Sequence, residues 1–263
     1  MPRFSANLSM LFTEHAFLDR FDAAARAGFN GVEYLGPYDH EPEAVAARLK
    51  QNGLAQVLFN LPSGDWAGGE RGIAILPERV DEFRAGVDKA VAYAEALGCG
   101  QVNCLAGIAP EGADRRRLEE TFVDNLKFAS ERLGNAGIRL LIEPINTRDI
   151  PGFFLTGTKQ ALGVVERVGS ENLYLQYDIY HMQVMEGDLA RTMEANLARI
   201  AHIQLADNPG RHEPGTGEIN YPFLYDFIDR MGYRGWIGAE YKPKAGTEAG
   251  LGWFKDFSGK AAA

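Results

Sequence analysis

Short apolar runs alternate with longer stretches of helical spacing along almost all of the 263 residues, and this rhythm most restricts what the chain can become. Apolar side chains recurring every three or four residues mark helices, and brief aliphatic runs mark strands. Strands are expected over residues 4–10, 31–34, 54–59, 101–105, 139–142, 173–178, 200–205 and 236–240. Helices are expected over 17–27, 42–51, 79–97, 114–133, 158–168, 188–198, 221–231 and 251–257, with Thr158 as an N-cap and Gly28, Gly53 and Gly98 closing three of them. Each strand is thus followed by a helix. That count specifies an α/β fold, a (β/α)8 TIM barrel in a single domain over 1–258, with 259–263 a disordered tail. An open doubly wound sheet is the alternative, but its Gly-x-Gly-x-x-Gly turn after the first strand is missing.

Composition narrows the function. A formal charge of −9 disfavours phosphate-rich polymers, which are bound through clustered Lys and Arg, so no nucleic-acid partner is expected. The basic run Arg115–Arg117 lies beside Glu119 and Glu120 and reads as a solvated helix face. No stretch approaches the roughly 18 to 20 apolar residues of a membrane span, and the N-terminus has no basic start followed by an apolar core. Cys99 and Cys104 cannot make a disulfide framework and read as core residues; a cytoplasmic location is expected, where the Asn7-Leu8-Ser9 glycosylation match has no meaning. The aromatics Trp253 and Phe254 suit either an interface or the packing of the last helix, which leaves a homo-oligomer open.

The segment Arg139 to Asn146 shows where chemistry belongs. Its aliphatic run ends on Glu143, and Pro144 follows at once, so the strand stops with a carboxylate at its C-terminal lip. Asp178 and Glu240 end two other strands and Gln204 lies at the end of a third, so four consecutive staves each bring an oxygen-bearing side chain to one rim. Three carboxylates facing one another need a counter-charge. An all-oxygen set suits a divalent metal, Mg²⁺ or Mn²⁺ rather than Zn²⁺. A single acidic residue at a strand end is more often a cap or an ion-pair partner; four on adjacent strands point to a shared site.

Other candidates surround this rim. His181, three residues after Asp178, can hydrogen-bond a bound oxygen. Arg211 and His212 lie in the glycine-rich loop after the seventh strand, and an arginine there can grip a small carboxylate through two parallel bonds. Lys242, two residues past Glu240, is a further anion partner, whereas His15, His40 and His202 have no such context. Residues 60–78 are too long and glycine-rich for a routine connection, and Trp66 and Arg71 within them favour a lid over a disordered linker.

Taken together, Asn60-Leu-Pro-Ser-Gly-Asp-Trp-Ala-Gly-Gly-Glu-Arg-Gly, Leu141-Ile-Glu-Pro-Ile-Asn, Gln176-Tyr-Asp-Ile-Tyr-His-Met-Gln and Gly210-Arg-His-Glu-Pro-Gly-Thr-Gly-Glu-Ile resemble the hydroxypyruvate isomerase family, within the xylose-isomerase-like barrels. The resemblance spans nearly the whole chain. It implies that Glu143 and Glu240 transfer protons, that Glu143, Asp178, Gln204 and Glu240 hold the metal, and that the substrate is a small sugar acid. Related sugar epimerases often carry a histidine where Gln204 stands, which bears on the metal's identity and on whether it is required. The implied reaction turns hydroxypyruvate into 2-hydroxy-3-oxopropanoate (tartronate semialdehyde) through an enediolate, with a cation offsetting the developing charge. Arg211, Arg71 and Lys242 would hold the carboxylate, and the 60–78 loop would exclude water. Three rivals remain open: a 2-oxo-tetronate isomerase, an abasic-site endonuclease on the same barrel, and a non-catalytic sugar-acid binding protein.

Overall fold

The computed structural model of the protein describes residues 2–258; the tail expected at 259–263 lies outside them. Eight parallel strands close on themselves in sequence order. They are β1 (Arg3–Asn7), β2 (Gly31–Tyr34), β3 (Ala55–Asn60), β4 (Gln101–Cys104), β5 (Arg139–Ile142), β6 (Leu173–Asp178), β7 (Ile200–Leu205) and β8 (Trp236–Ala239). Closure is direct, with Arg3 to Ala6 of β1 in register with Trp236 to Ala239 of β8. The surrounding helices are α1 (Arg20–Arg26), α2 (Pro42–Asn52), α3 (Val80–Leu97), α4 (Arg115–Gly134), α5 (Thr158–Val168), α6 (Ile179–Met185), α7 (Leu189–Ala195), α8 (Tyr221–Arg230) and α9 (Gly252–Ser258).

Each expected strand and helix is present, and the differences have local causes. β1 stops at Asn7 because the Asn7 side chain accepts the Ser9 N–H at 3.0 Å while its carbonyl accepts the Met10 and Leu11 N–H groups, which bends the chain out of the ladder. Thr158 is the first helical residue rather than the cap. Gly157 occupies the cap position, and Glu186 accepts the Thr158 N–H at 2.6 Å in its place. The stretch expected as one helix at 188–198 is α7 followed by a 3-10 turn, Leu197–Arg199. Helix α6 has no counterpart in the sequence reading; it begins directly on Asp178, with no loop to announce it.

The main core lies between barrel and helices. Trp253 and Phe254 belong to it rather than to a surface: Trp253 meets Phe4 edge-on at 5.2 Å and Phe254 stacks on Phe29 at 4.1 Å. Val57, Leu58 and Leu141 form a separate cluster with Tyr174, Ala201 and Trp236. Val57 and Leu58 of β3 and Leu141 of β5 are on strands that are not neighbours and meet across the barrel's lumen, so the lower lumen is plugged with apolar side chains. Cys99 and Cys104 are free and buried, as expected. Among the described residues no helix is long and apolar enough to cross a membrane.

Candidate active site

Above that plug the lumen opens, at the C-terminal ends of the strands, into a pocket of about 310 Å³. Glu143 follows β5, Asp178 ends β6, Gln204 lies in β7 and Glu240 follows β8, and all four are buried. The parallel register sets Asp178 beside Gln204, and the Glu240 N–H bonds Leu205, so the four strand ends are level. Ligand atoms of Glu143, Asp178, His181 and Glu240 all lie within 4.8 Å of one another. A larger cavity, about 500 Å³, opens at the opposite mouth between Arg3, Arg139 and Trp236, but among the described residues no carboxylate lines it.

The carboxylates at the rim are electrostatically frustrated. Burial pushes Glu143 well above the usual carboxylate range, and the charges of Glu240 and Asp178 push it further. Burial raises Glu240 to about 8 against the pull of Arg211, with Asp178 and Glu33 adding to the rise. Asp178 is raised by burial to about 6, held there by Arg211 and by the N–H groups of Tyr180 and His181. Those N–H groups lie 2.8 and 3.4 Å from its Oδ1, so Asp178 caps α6 with one oxygen only. Its Oδ2 is buried without a hydrogen-bond partner among the described residues. An orphaned carboxylate oxygen amid two other carboxylates suits a hard cation's ligand. The Gln204 oxygen, 2.6 Å from the Gln176 amide nitrogen, faces the same rim, so the four residues fit a hard divalent metal.

His181 serves differently. Its Nδ1 takes both the Asn146 side-chain amide at 2.6 Å and the Asn146 backbone N–H at 3.4 Å, which puts the ring proton on Nε2. Burial, with Arg211 nearby, pushes its pKa well below the usual value, so the ring is neutral. Nε2 stands 3.5 Å from Asp178 Oδ2 and 3.9 Å from Glu143 Oε1, so His181 turns this nitrogen toward the same carboxylates.

The cations divide into two kinds. Arg211 is committed: it pairs with Glu240 at 2.9 Å and Asp149 at 3.3 Å and lies over the Tyr180 ring at 5.3 Å. Arg71 and Lys242 also line the pocket, and neither has an ion pair among the described residues. Arg71 sits over Trp66 at 4.0 Å and bonds the Trp66 carbonyl, so the 60–78 loop presents both side chains to the pocket. The loop is held at its base, where a side chain at Gly72 would collide with the Leu105 carbonyl. His212 is turned away, its Nδ1 2.7 Å from the Lys242 carbonyl, and does not line the pocket.

Several participants are not singled out in the sequence reading. Asn103 donates to Glu143 at 3.1 Å and Asn7 to Glu240 at 3.1 Å, which explains why a residue in a glycosylation-like triplet is buried. Below them Glu33 and His202 meet inside the barrel at 2.9 Å. His202 therefore has a context after all, one that only closure of the barrel creates. A glutamate between apolar neighbours in Gly-Val-Glu-Tyr is the one available hint, and it is weak.

Comparison with known proteins places this geometry. The model of the xylose isomerase-like TIM barrel family matches residues 21–257. A hydroxypyruvate isomerase of Escherichia coli is 54% identical over 98% of this chain and 100% of its own. A 2-oxo-tetronate isomerase of Cupriavidus necator is 51% identical over 99% and 100%. A crystal structure titled as an AP endonuclease, family 2, from Brucella melitensis superposes with a TM-score of 0.95 at 50% identity, covering 98% of this chain and 99% of that one.

Proposed function

The chain belongs to the xylose isomerase-like TIM barrel family, and from that premise we propose that it is an isomerase of small 2-oxo-3-hydroxy acids, with Glu143 and Glu240 as its proton-transfer pair. One observation supports the pair above all: two buried carboxyls on one rim, with oxygens within 4.8 Å of one another, that repel each other and are both raised above the usual carboxylate range. On hydroxypyruvate, one carboxylate takes a proton from C3, and the electron pair left behind forms the C2–C3 double bond of an enediolate. The hydroxyl proton on C3 passes to the oxygen on C2. A proton then returns to C2, giving 2-hydroxy-3-oxopropanoate with no net change in atoms. His181 Nε2–H reaches a substrate oxygen, and Arg71 and Lys242, assisted by Arg211, hold the substrate's carboxylate.

Mg²⁺ or Mn²⁺ held by Glu143, Asp178, Gln204 and Glu240 would offset the rim's negative charge and polarise the substrate's paired oxygens. The Trp66–Arg71 loop shields the pocket so that the enediolate keeps its protons. The acidic chain, with five histidines in all and one in this cluster, does not suit a multi-metal nuclease with a basic groove.

The test is incubation with hydroxypyruvate in D₂O and Mg²⁺. Formation of 2-hydroxy-3-oxopropanoate with solvent deuterium on carbon is expected; no product and no deuterium on any small oxo acid would sink the reading. A second substrate, a four-carbon 2-oxo-tetronate, is favoured by the Cupriavidus relative's name, and the same assay run on both compounds ranks them.

A further inference from the structure

Beneath the rim lies a carboxylate that takes no part in this chemistry. Glu33, fully buried in β2, points into the lumen where Gly238 of β8 leaves room; a side chain at 238 would sit on the Glu33 carboxylate oxygens. Four donors converge on it. Oε2 accepts from Ser5 Oγ at 2.7 Å and His202 Nε2 at 2.9 Å, and Oε1 from Gln204 Nε2 at 2.7 Å and, more weakly, Asn7 Nδ2 at 3.4 Å.

We infer that Glu33 is a positioning residue: as an acceptor-only anion it sets which way round the amides above it lie, and so which atoms they turn toward Glu143 and the metal-ligand rim. The inference rests on the assignment of Glu143 as a proton-transfer group. Gln204 gives its NH₂ to Glu33 and therefore turns its oxygen upward, as a cation ligand must. That oxygen takes the NH₂ of Gln176 at 2.6 Å, which fixes which way round the Gln176 amide lies in the pocket it shares with Glu143. An amide is nearly symmetric in shape, so packing alone cannot choose between its two orientations; a neighbour that can only accept does choose. Asn7 is fixed from two sides, by Glu33 and by the Ser9 N–H on its oxygen, and so keeps its NH₂ on Glu240.

Glu33→Gln changes one atom and no volume, and it breaks the rule. Ser5 and His202 retain the substituted residue's oxygen, because moving the ring proton to His202 Nδ1, which has no partner among the described residues, would bury an unpaired N–H. The new NH₂ then faces Gln204, which must rotate to offer its oxygen, and Gln176 must rotate in turn. Gln204 then turns its nitrogen to the rim, and the Gln176 amide is reversed in the pocket beside Glu143.

The experiment joins kinetics to side-chain amide NMR of the full-length enzyme, the Gln176, Gln204 and Asn7 NH₂ signals being assigned by single substitution. In Glu33→Gln we expect kcat to fall by about tenfold or more, with KM changed by less than about threefold, as for a misaligned reacting group rather than a lost substrate contact. The Gln176 NH₂ signal moves with it, and Gln204→Glu added to Glu33→Gln returns that signal toward its wild-type position, because the second oxygen again accepts from Gln176. A Gln176 signal unmoved in Glu33→Gln, or kcat within about twofold of wild type, overturns the inference. If Glu33→Gln does not fold, the wild-type spectrum decides: Gln204 and Gln176 NH₂ protons protected from solvent exchange support it, and free exchange overturns it. A wild-type enzyme that turns over no oxo acid would refute the isomerase reading and leave the NMR outcomes standing.

Discussion

Two layers of the same lumen hold buried carboxylates and treat them in opposite ways. Burial alone would raise Glu33, yet His202, Gln204 and Ser5 together pull it below the usual carboxylate range. One layer higher, Glu143, Asp178 and Glu240 have fewer donors and one another for neighbours, and all three are pushed up. The lower carboxylate is satisfied and serves structure. The upper ones are left in mutual conflict, and the proposed proton transfer and cation binding would draw on that conflict.

The most forceful way to break this contrast is to neutralise each layer. Glu143→Gln and Glu240→Gln should each lower kcat/KM by about 10²- to 10⁴-fold, the range for losing a positioned acid or base. Glu143→Gln should not lower the melting temperature of the metal-free protein, because it removes a repulsion, whereas Glu240→Gln also unpairs Arg211 and should gain less. His202→Leu should do the reverse and weaken the fold by about 1–3 kcal/mol in denaturant melts, since it strips a buried carboxylate of one of its hydrogen-bond donors. A rim substitution that destabilised the metal-free protein as much as His202→Leu would erase the distinction.

The distinction also has a pH signature. In the metal-free protein Asp178 and Glu240 titrate at about 6 and about 8, both above the roughly 4 of an unfolded carboxylate. The native state then holds protons that the unfolded chain has released. Stability from these groups is present below about pH 4 and is lost as pH rises through 6 and then 8. Glu33, lowered in the fold, contributes stability that is present above its unfolded pKa and lost only as pH falls through its folded one, so it is silent in this window. Calorimetry should therefore find the metal-free protein melting several degrees lower at about pH 8.5 than at about pH 5.5, with Mg²⁺ recovering more of the loss at the higher pH. A melting temperature that rises across this range would mean that the rim carboxylates are not in conflict.

How much of this was legible in the chain follows the same division. Glu143 was readable because an apolar run and Pro144 fix a strand end by local chemistry, and Asp178 and Glu240 end strands in the same way. Once eight units were counted, barrel closure brought those ends together. Glu33 was not readable, because whether a strand residue faces the lumen or the helices depends on register, and register shifts between Val32 and Glu33. Nothing in Ala-His-Ile-Gln marks His202 as its partner 169 residues away. Arg211 was found as a cation, but its ties to Glu240 and Asp149 depend on how two loops fold over the rim.

That commitment of Arg211 sets the last and smallest effect. Arg71 and Lys242 are the pocket's cations without carboxylate partners among the described residues, and Lys242 is exposed to solvent. Water and salt screen such a cation, so its contact with a substrate carboxylate is worth up to about 1 kcal/mol. Lys242→Met should accordingly raise KM by about three- to fivefold, leave kcat and the melting temperature unchanged, and lose its effect at high ionic strength. Arg71→Met should raise KM somewhat more, because the guanidinium rests on Trp66 and is ordered before the substrate arrives. If instead both substitutions left KM untouched while Arg211→Met raised it severalfold with kcat preserved, the substrate's carboxylate would be displacing Glu240 from Arg211. The division between committed and available cations would then hold only for the empty pocket.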